Sequence, residues 1–328
     1  MAEVHRGVGP EEVRQPLSRT PSSVEPPAGP RFADRLASLV AARESQIVLG
    51  LDPDPARLWP GIVVEASEDR PPPERAAAAV TAHCRAVIDA AAEACVAVKA
   101  QLACFERLGP PGWAALGAVA EHARRRGLLV LADGKRGDID VSAGAYGQAL
   151  VGSTPTPYGE VEGLGADAFT ANPYMGVDTL MVLAQAARGA GAGVFVLVRT
   201  SNPGAADLED LVLEGGGRLW ERVAGIVSGL GAADDGPLSD VGAVVGATAP
   251  EHVTRMRELM PRAIFLLPGI GAQGGRVEDL APAFAPGRAG GLVTASRSIE
   301  RAHEAAGGDP AAAARAEAER LRAAAWAL

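Results

Sequence analysis

Four ionisable side chains fall within six residues at Asp133-Gly134-Lys135-Arg136-Gly137-Asp138, directly after the apolar run LLVLA at 128 to 132. A turn that only reverses the chain has no use for so much charge. If the preceding strand continues this far, period-two alternation puts Asp133 and Lys135 on the same side. The basic residues sharpen the point: of 31, 29 are arginine, and only Lys99 and Lys135 are lysine. A chain that uses arginine for generic cations and keeps two lysines points to work that guanidinium cannot do. An ammonium is a compact charge that can give up its proton, whereas guanidinium stays protonated. Lys99, Asp133 and Lys135 thus form a candidate array of alternating acids and bases. On spacing alone, a structural ion-pair network explains the cluster equally well.

A second chemistry lies further along. Gly269, Gly271, Gly274 and Gly275 give the backbone freedom to turn N–H groups toward an anion, and Arg297 is placed to complete a phosphate clamp.

The elements that must carry these groups are short apolar runs at 47 to 51, 95 to 98, 128 to 132, 166 to 170, 194 to 198, 241 to 245, 263 to 267 and 291 to 294. Between them lie Ala-, Leu- and Arg-rich segments at about 74 to 93, 112 to 126, 141 to 151, 177 to 189, 215 to 230, 250 to 260 and 276 to 285. Near-continuous apolar strands alternating with helices predict a parallel sheet covered by helices. Eight such units, with no GxGxxG after the first strand, predict one closed (β/α)8 barrel, the TIM-barrel form of the α/β class. The barrel domain is expected over 31 to 328, with a first helix from Arg31, a closing helix over 308 to 328 and a loop at 152 to 165. Residues 1 to 30, rich in Pro with Ser, Glu and Arg, are expected to be a disordered tail.

In such a barrel the site lies at the C-terminal strand ends. There the sequence places Asp52, Lys99, Asp133 with Lys135, Asn172, Thr200 with Ser201, Thr248, the Gly269 loop and Ser296-Arg297. Both lysines of the chain fall on this rim.

Composition limits the alternatives. With 48% hydrophobic and 22% charged residues the 328-residue chain can bury a large core. No apolar stretch is long enough to span a membrane, and Glu3, His5 and Arg6 stand where a secretory signal needs an apolar core, so a cytoplasmic protein is expected. The net charge of −9 argues against a nucleic-acid partner. Cys84, Cys95 and Cys104 form no CxxC, and the five histidines (5, 83, 122, 252 and 303) have no ligand spacing, so neither a zinc site nor a histidine-built metal centre is expected. Each histidine is expected at a surface helix position.

The blocks LGLDPDP (49 to 55), VKAQ (98 to 101), DGKRGDI (133 to 139), TANPYMG (170 to 176), RTSNPG (199 to 204), VGAT (245 to 248), PGIGAQGG (268 to 275) and ASRSI (295 to 299) resemble orotidine 5′-phosphate decarboxylase, in its longer bacterial subgroup. The resemblance spans about residues 32 to 300 in consistent order. It implies decarboxylation of orotidine 5′-monophosphate to UMP, the last step of de novo UMP synthesis, without metal or cofactor. By the same resemblance Lys135 donates the proton to C6, Asp133 faces the substrate carboxylate, and Lys99 and Asp138 complete the charged network. Asp52 binds ribose, and Gly269, Gly271 and Arg297 hold the phosphate. Ser142, Asn172, Thr200 and Ser201 are the other implied substrate contacts. A homodimer is implied, with Asp138 and Ser142 crossing to the neighbouring site.

Three positions depart from the family pattern. Ser142 stands for the usual Thr, Ala100 for a common Pro, and Glu209 for a glutamine that often helps cover the phosphate. A carboxylate near a phosphate dianion repels it, so Glu209 is expected to point away, or the closing loop to work differently. A magnesium-dependent phosphosugar decarboxylase or aldolase of related barrels, and a catalytically silent nucleotide-binding barrel, are the competing readings.

Overall fold

In the computed structural model, which describes residues 29–62, 69–271 and 273–328, the apolar runs become strands. These are β1 (Ile47–Leu51), β2 (Ala97–Gln101), β3 (Leu129–Arg136), β4 (Ser153–Thr156), β5 (Gly159–Glu162), β6 (Ala168–Ala171), β7 (Gly193–Arg199), β8 (Ser239–Val245), β9 (Ala263–Leu267) and β10 (Gly291–Ala295). Eight of them close into a parallel barrel in the order β1-β10-β9-β8-β7-β6-β3-β2. The expected (β/α)8 architecture is therefore the one observed. The predicted tail falls outside the described residues except for Gly29 and Pro30.

Two elements differ from expectation. The segment read as a loop at 152 to 165 contains the antiparallel hairpin β4–β5, paired from Ser153–Glu162 to Thr156–Gly159. It is mostly exposed, so its strands carry no apolar alternation from which to read them. The segment at 276 to 285 is a 3-10 helix, Val277–Phe284, with Pro282 inside it. Pro has no N–H to donate, which disfavours a regular α-helical turn.

Alternation along the strands divides the core in two. Side chains facing into the barrel, including Val48, Leu131, Phe195, Val244, Leu266 and Leu292, form one buried cluster. Those facing outward form a larger cluster with the surrounding helices. The helix Phe32–Arg43 plugs the N-terminal end of the barrel. Phe32 packs edge-on against Phe195 with ring centroids 5.9 Å apart, Ala33 N–H donates to Asp240 at the start of β8 at 2.8 Å, and Arg35 pairs with Asp167 just before β6. With that end closed, the opposite mouth is left for a ligand. The closing helix Pro310–Trp326 begins at Asp309, whose side chain accepts the Ala312 N–H at 2.9 Å.

Among the described residues, no helix is long and apolar enough to cross a membrane.

Candidate active site

A cleft of about 510 Å³ opens at the C-terminal mouth. Its floor is divided by strand. Lys99, Asp133 and Thr170 from β2, β3 and β6 supply a polar half, and Leu197, Val244 and Leu266 from β7, β8 and β9 supply an apolar one.

Asp133 is the centre of the polar half. It is 4% exposed. Its Oδ2 accepts from Lys99 Nζ at 2.5 Å and Gln101 Nε2 at 3.4 Å, and its Oδ1 from Lys135 Nζ at 2.7 Å and Thr170 Oγ1 at 2.8 Å. Burial alone would raise the Asp133 pKa, but Lys99 and Lys135 outweigh it and hold the carboxyl well below the usual range. Burial would likewise lower the Lys99 pKa, but Asp133 and Asp52 prevail and raise it. Asp133 and Lys99 are therefore both charged at neutral pH.

The strand β3 does continue past Asp133, as the shared side of Asp133 and Lys135 requires, but not regularly. Its pairing with β6 shifts between Ala132 and Arg136, and Lys135 has φ 47°. A non-glycine residue in the left-handed region is strained by about 1–3 kcal/mol and is most often found at functional sites. Thr170 Oγ1 accepts the Lys135 N–H at 2.8 Å and so supports the turn. Whereas Lys99 is buried, the Lys135 side chain is 42% exposed and available to a ligand.

Neither Thr170 nor Gln101 was singled out from the sequence, although both lie inside the matched blocks. Thr170 is two residues before Asn172, on the inward-facing phase of β6, and that phase was the signal available. Gln273 also lines the cleft and was overlooked within its glycine-rich surroundings.

Asp52, Thr200, Ser201, Gly269 and Arg297 line the cleft with the array. Asp138, Ser142, Asn172 and Gly271 are not in its lining. Asp138 accepts the Ile139 N–H at 2.8 Å, Ser142 is exposed on helix Asp140–Leu150, and Asn172 Oδ1 accepts the Tyr174 N–H at 2.9 Å. Within one chain these three side chains do not join the array.

The glycine loop is partly hydrogen-bonded to itself. Gly269, Gly271 and Gly274 adopt positive φ, and three of the loop's amides are used inside it. Gly271 N–H donates to Gly275 O, Gly274 N–H to Gly271 O and Gly275 N–H to Gly269 O. These three donors shape the turn. Arg297 remains the charged group at this end of the cleft.

Glu209 is turned onto the loop after β7. Its Oε2 accepts the Thr200 N–H at 2.8 Å, and Thr200 Oγ1 lies 3.0 and 3.2 Å from its two oxygens. The same turn packs tightly on its neighbours: a Cβ added at Gly246 would meet the Ser201 backbone at 2.8 Å. The expectation that histidines occupy surface positions fails for His83, which is 1% exposed. Cys84 and Cys95 are buried, and Cys104 is partly so.

The chain matches the Orotidine 5'-phosphate decarboxylase / HUMPS family over residues 45–316. It is 41% identical over 278 residues to the orotidine 5′-phosphate decarboxylase of Rhodopirellula baltica, covering 83% of this chain and 89% of that one. The enzyme of the same name from Deinococcus radiodurans is 41% identical over 276 residues, covering 83% and 90%. Among solved structures, Leishmania donovani OMP decarboxylase superposes with a TM-score of 0.66 at 32% identity, covering 90% of this chain and 99% of that one.

Proposed function

The chain belongs to the orotidine 5′-phosphate decarboxylase / HUMPS family, and from that premise we infer that Lys135 is its proton donor and Asp133 the charge that opposes the substrate carboxylate. The reaction is decarboxylation of orotidine 5′-monophosphate to UMP and CO2, in pyrimidine biosynthesis. The observation that carries the assignment is one buried carboxylate, Asp133, gripped on its two oxygens by the two lysines of the chain.

The chemistry follows from that arrangement. The bond between C6 and the carboxylate breaks, CO2 leaves, and the electron pair remains at C6. An ammonium beside that carbon stabilises the developing charge and then delivers its proton there. Preorganised charge of this kind is usually the largest catalytic contribution, with general-acid transfer adding about 10²- to 10⁴-fold. Asp133 repels the substrate carboxylate. At about 4 Å and an effective dielectric constant of about 20 the repulsion is about 4 kcal/mol. Binding at a distance from C6, by Asp52 on the ribose and by Arg297 with the Gly269 and Gly271 loop on the phosphate, has to hold the base against it. Thr200 and Ser201 are the remaining substrate contacts of this reading. The apolar half of the floor suits CO2, which is neutral once the bond is broken.

Lys99 holds Asp133 charged and in place. Asp138 and Ser142, outside the cleft of their own chain, act in the site of a second copy. Supporting this, they lie beside exposed apolar side chains: Val141 is 80% exposed, Tyr174 82% and Ile139 56%. Such a patch on one rim marks an interaction surface, and a homodimer would cover it. The chemistry calls for no metal or organic cofactor. Residues 31 to 328 act as one catalytic unit preceded by a tail, in the cytoplasm.

The test is release of CO2 and formation of UMP from orotidine 5′-monophosphate by the purified chain, with EDTA present. Turnover that survives EDTA supports this reading. No release of CO2 from orotidine 5′-monophosphate, with magnesium-dependent turnover of a phosphosugar in its place, would replace it with the phosphosugar alternative.

A further inference from the structure

His83 lies on helix Pro72–Ala91 and is not among the residues that line the cleft. It joins two segments that do reach the cleft. Its Nδ1 accepts the backbone N–H of Trp59 at 3.1 Å, and its Nε2 is 2.8 Å from Glu300 Oε1. Trp59 closes the triangle by donating its indole N–H to the Glu300 carbonyl at 2.6 Å. All three residues are buried: His83 is 1% exposed, Glu300 5% and Trp59 6%. The indole ring stands edge-on to the His83 and His303 rings, with centroids 5.5 and 6.3 Å away.

Because Nδ1 accepts an amide hydrogen it carries no proton of its own, so Nε2–H is donated to the Glu300 carboxylate. A neutral imidazole thereby serves as acceptor on one side and donor on the other, a combination no other side chain provides with the same separation.

The two tethered segments follow neighbouring strands, β1 and β10, and each carries a charged group that lines the cleft beyond the end of the strand pairing. Trp59 follows Asp52 by seven residues in the segment after β1, and Glu300 ends the four-residue helix that Arg297 begins. One helical turn cannot hold itself in place, so the direction of Arg297 depends on what anchors Glu300. The pair Arg57–Glu304 joins the same two segments at 2.9 Å, but both side chains are about half exposed, and such pairs contribute little.

We propose that His83 is a positioning residue that sets the separation between Asp52 and Arg297, acting through Trp59 and Glu300. The proposal rests on the reading of Asp52 as the ribose contact and Arg297 as the phosphate contact.

The test uses two replacements that each keep one half of the clamp, with two substrates that differ only in the phosphate. Asn at 83 puts an acceptor where Nδ1 stands and does not reach Glu300. Gln at 83 puts a donor where Nε2 stands and releases Trp59. His83→Asn is expected to raise KM for orotidine 5′-monophosphate about tenfold, the effect of about one hydrogen bond, and to leave orotidine turnover unchanged. His83→Gln, which frees the Asp52 segment, is expected to lower kcat/KM about tenfold for both substrates. Trp59→Phe removes only the indole donor to Glu300 and should repeat the His83→Asn pattern, which keeps the test decisive if the His83 variants do not fold. Equal losses on both substrates in every variant, or no loss in any, overturn the clamp. If the unaltered protein releases no CO2 from orotidine 5′-monophosphate, it is the functional reading that fails.

Discussion

Lys135 reaches back to Asp133, two residues earlier on the same strand, through a 2.7 Å ion pair, with its own backbone turned to φ 47°. A regular strand carries such a pair along parallel directions. The left-handed turn instead brings the ammonium onto Asp133 Oδ1 while Lys99 occupies Oδ2, so one carboxylate orients two lysines.

Replacing Lys135 by Arg keeps the charge and removes the transferable proton. Release of CO2 from orotidine 5′-monophosphate is expected to fall by about 10²- to 10⁴-fold, the range of general-acid contributions. Near-normal turnover by this variant would sink the proton-donor assignment.

The charge state of the array implies a pH dependence of stability. Asp133 is lowered from its ordinary 3.8, so its contribution is fully present above that value and is lost as pH falls below 4 through the folded-state value. Lys99 is raised from 10.5, so its contribution is fully present below that value and is lost as pH rises through the still higher folded-state one. Thermal unfolding followed from pH 3 to 11 should show Asp133→Asn removing part of the acid-side loss seen in the unaltered protein. An unchanged acid limb would mean that Asp133 is not ion-paired as described.

Asp138 supplies the sharpest test of subunit sharing. Lys135→Ala and Asp138→Asn are each expected to be nearly inactive alone. If each site takes Lys135 from one chain and Asp138 from the other, mixed dimers contain one intact site, and co-refolded mixtures should recover up to about a quarter of full activity by statistical pairing. No recovery would place both residues in the site of one chain.

Thr170 links the strained backbone to the array, accepting from Lys135 N–H and donating to Asp133. Thr170→Val keeps the shape and leaves the Lys135 amide without its acceptor, which should cost about 1–3 kcal/mol in urea unfolding and reduce kcat. Thr170→Ser retains the hydroxyl and should restore both. If valine is harmless, the hydroxyl does not support the Lys135 turn.

The barrel and the positions of its strand ends were legible in the sequence because both rest on local patterns. Apolar runs such as IVLGL and AIFLL are buried on both faces and alternate with helical segments, which leaves few topologies open. The Lys99, Asp133 and Lys135 cluster was legible for the same reason: each residue lies in the C-terminal part of its strand, and those parts converge in a closed barrel. What only the tertiary structure decided depends on contacts between residues distant in the chain. Thr170 is one threonine among many until β6 is paired beside β3. Glu209 was an unplaced carboxylate until its oxygens were found on Thr200. His83 lies on the apolar face of its helix, three residues after Val80 and four before Val87, but its polar partners have no local sign, because Trp59 and Glu300 lie 24 and 217 residues from it. The glycine loop shows the limit of composition: four glycines do not say which amides are used inside the loop, and the structure shows that those of Gly271, Gly274 and Gly275 are. Periodicity encodes which face of an element is buried, but the partner of a polar group is set by which elements the fold brings together.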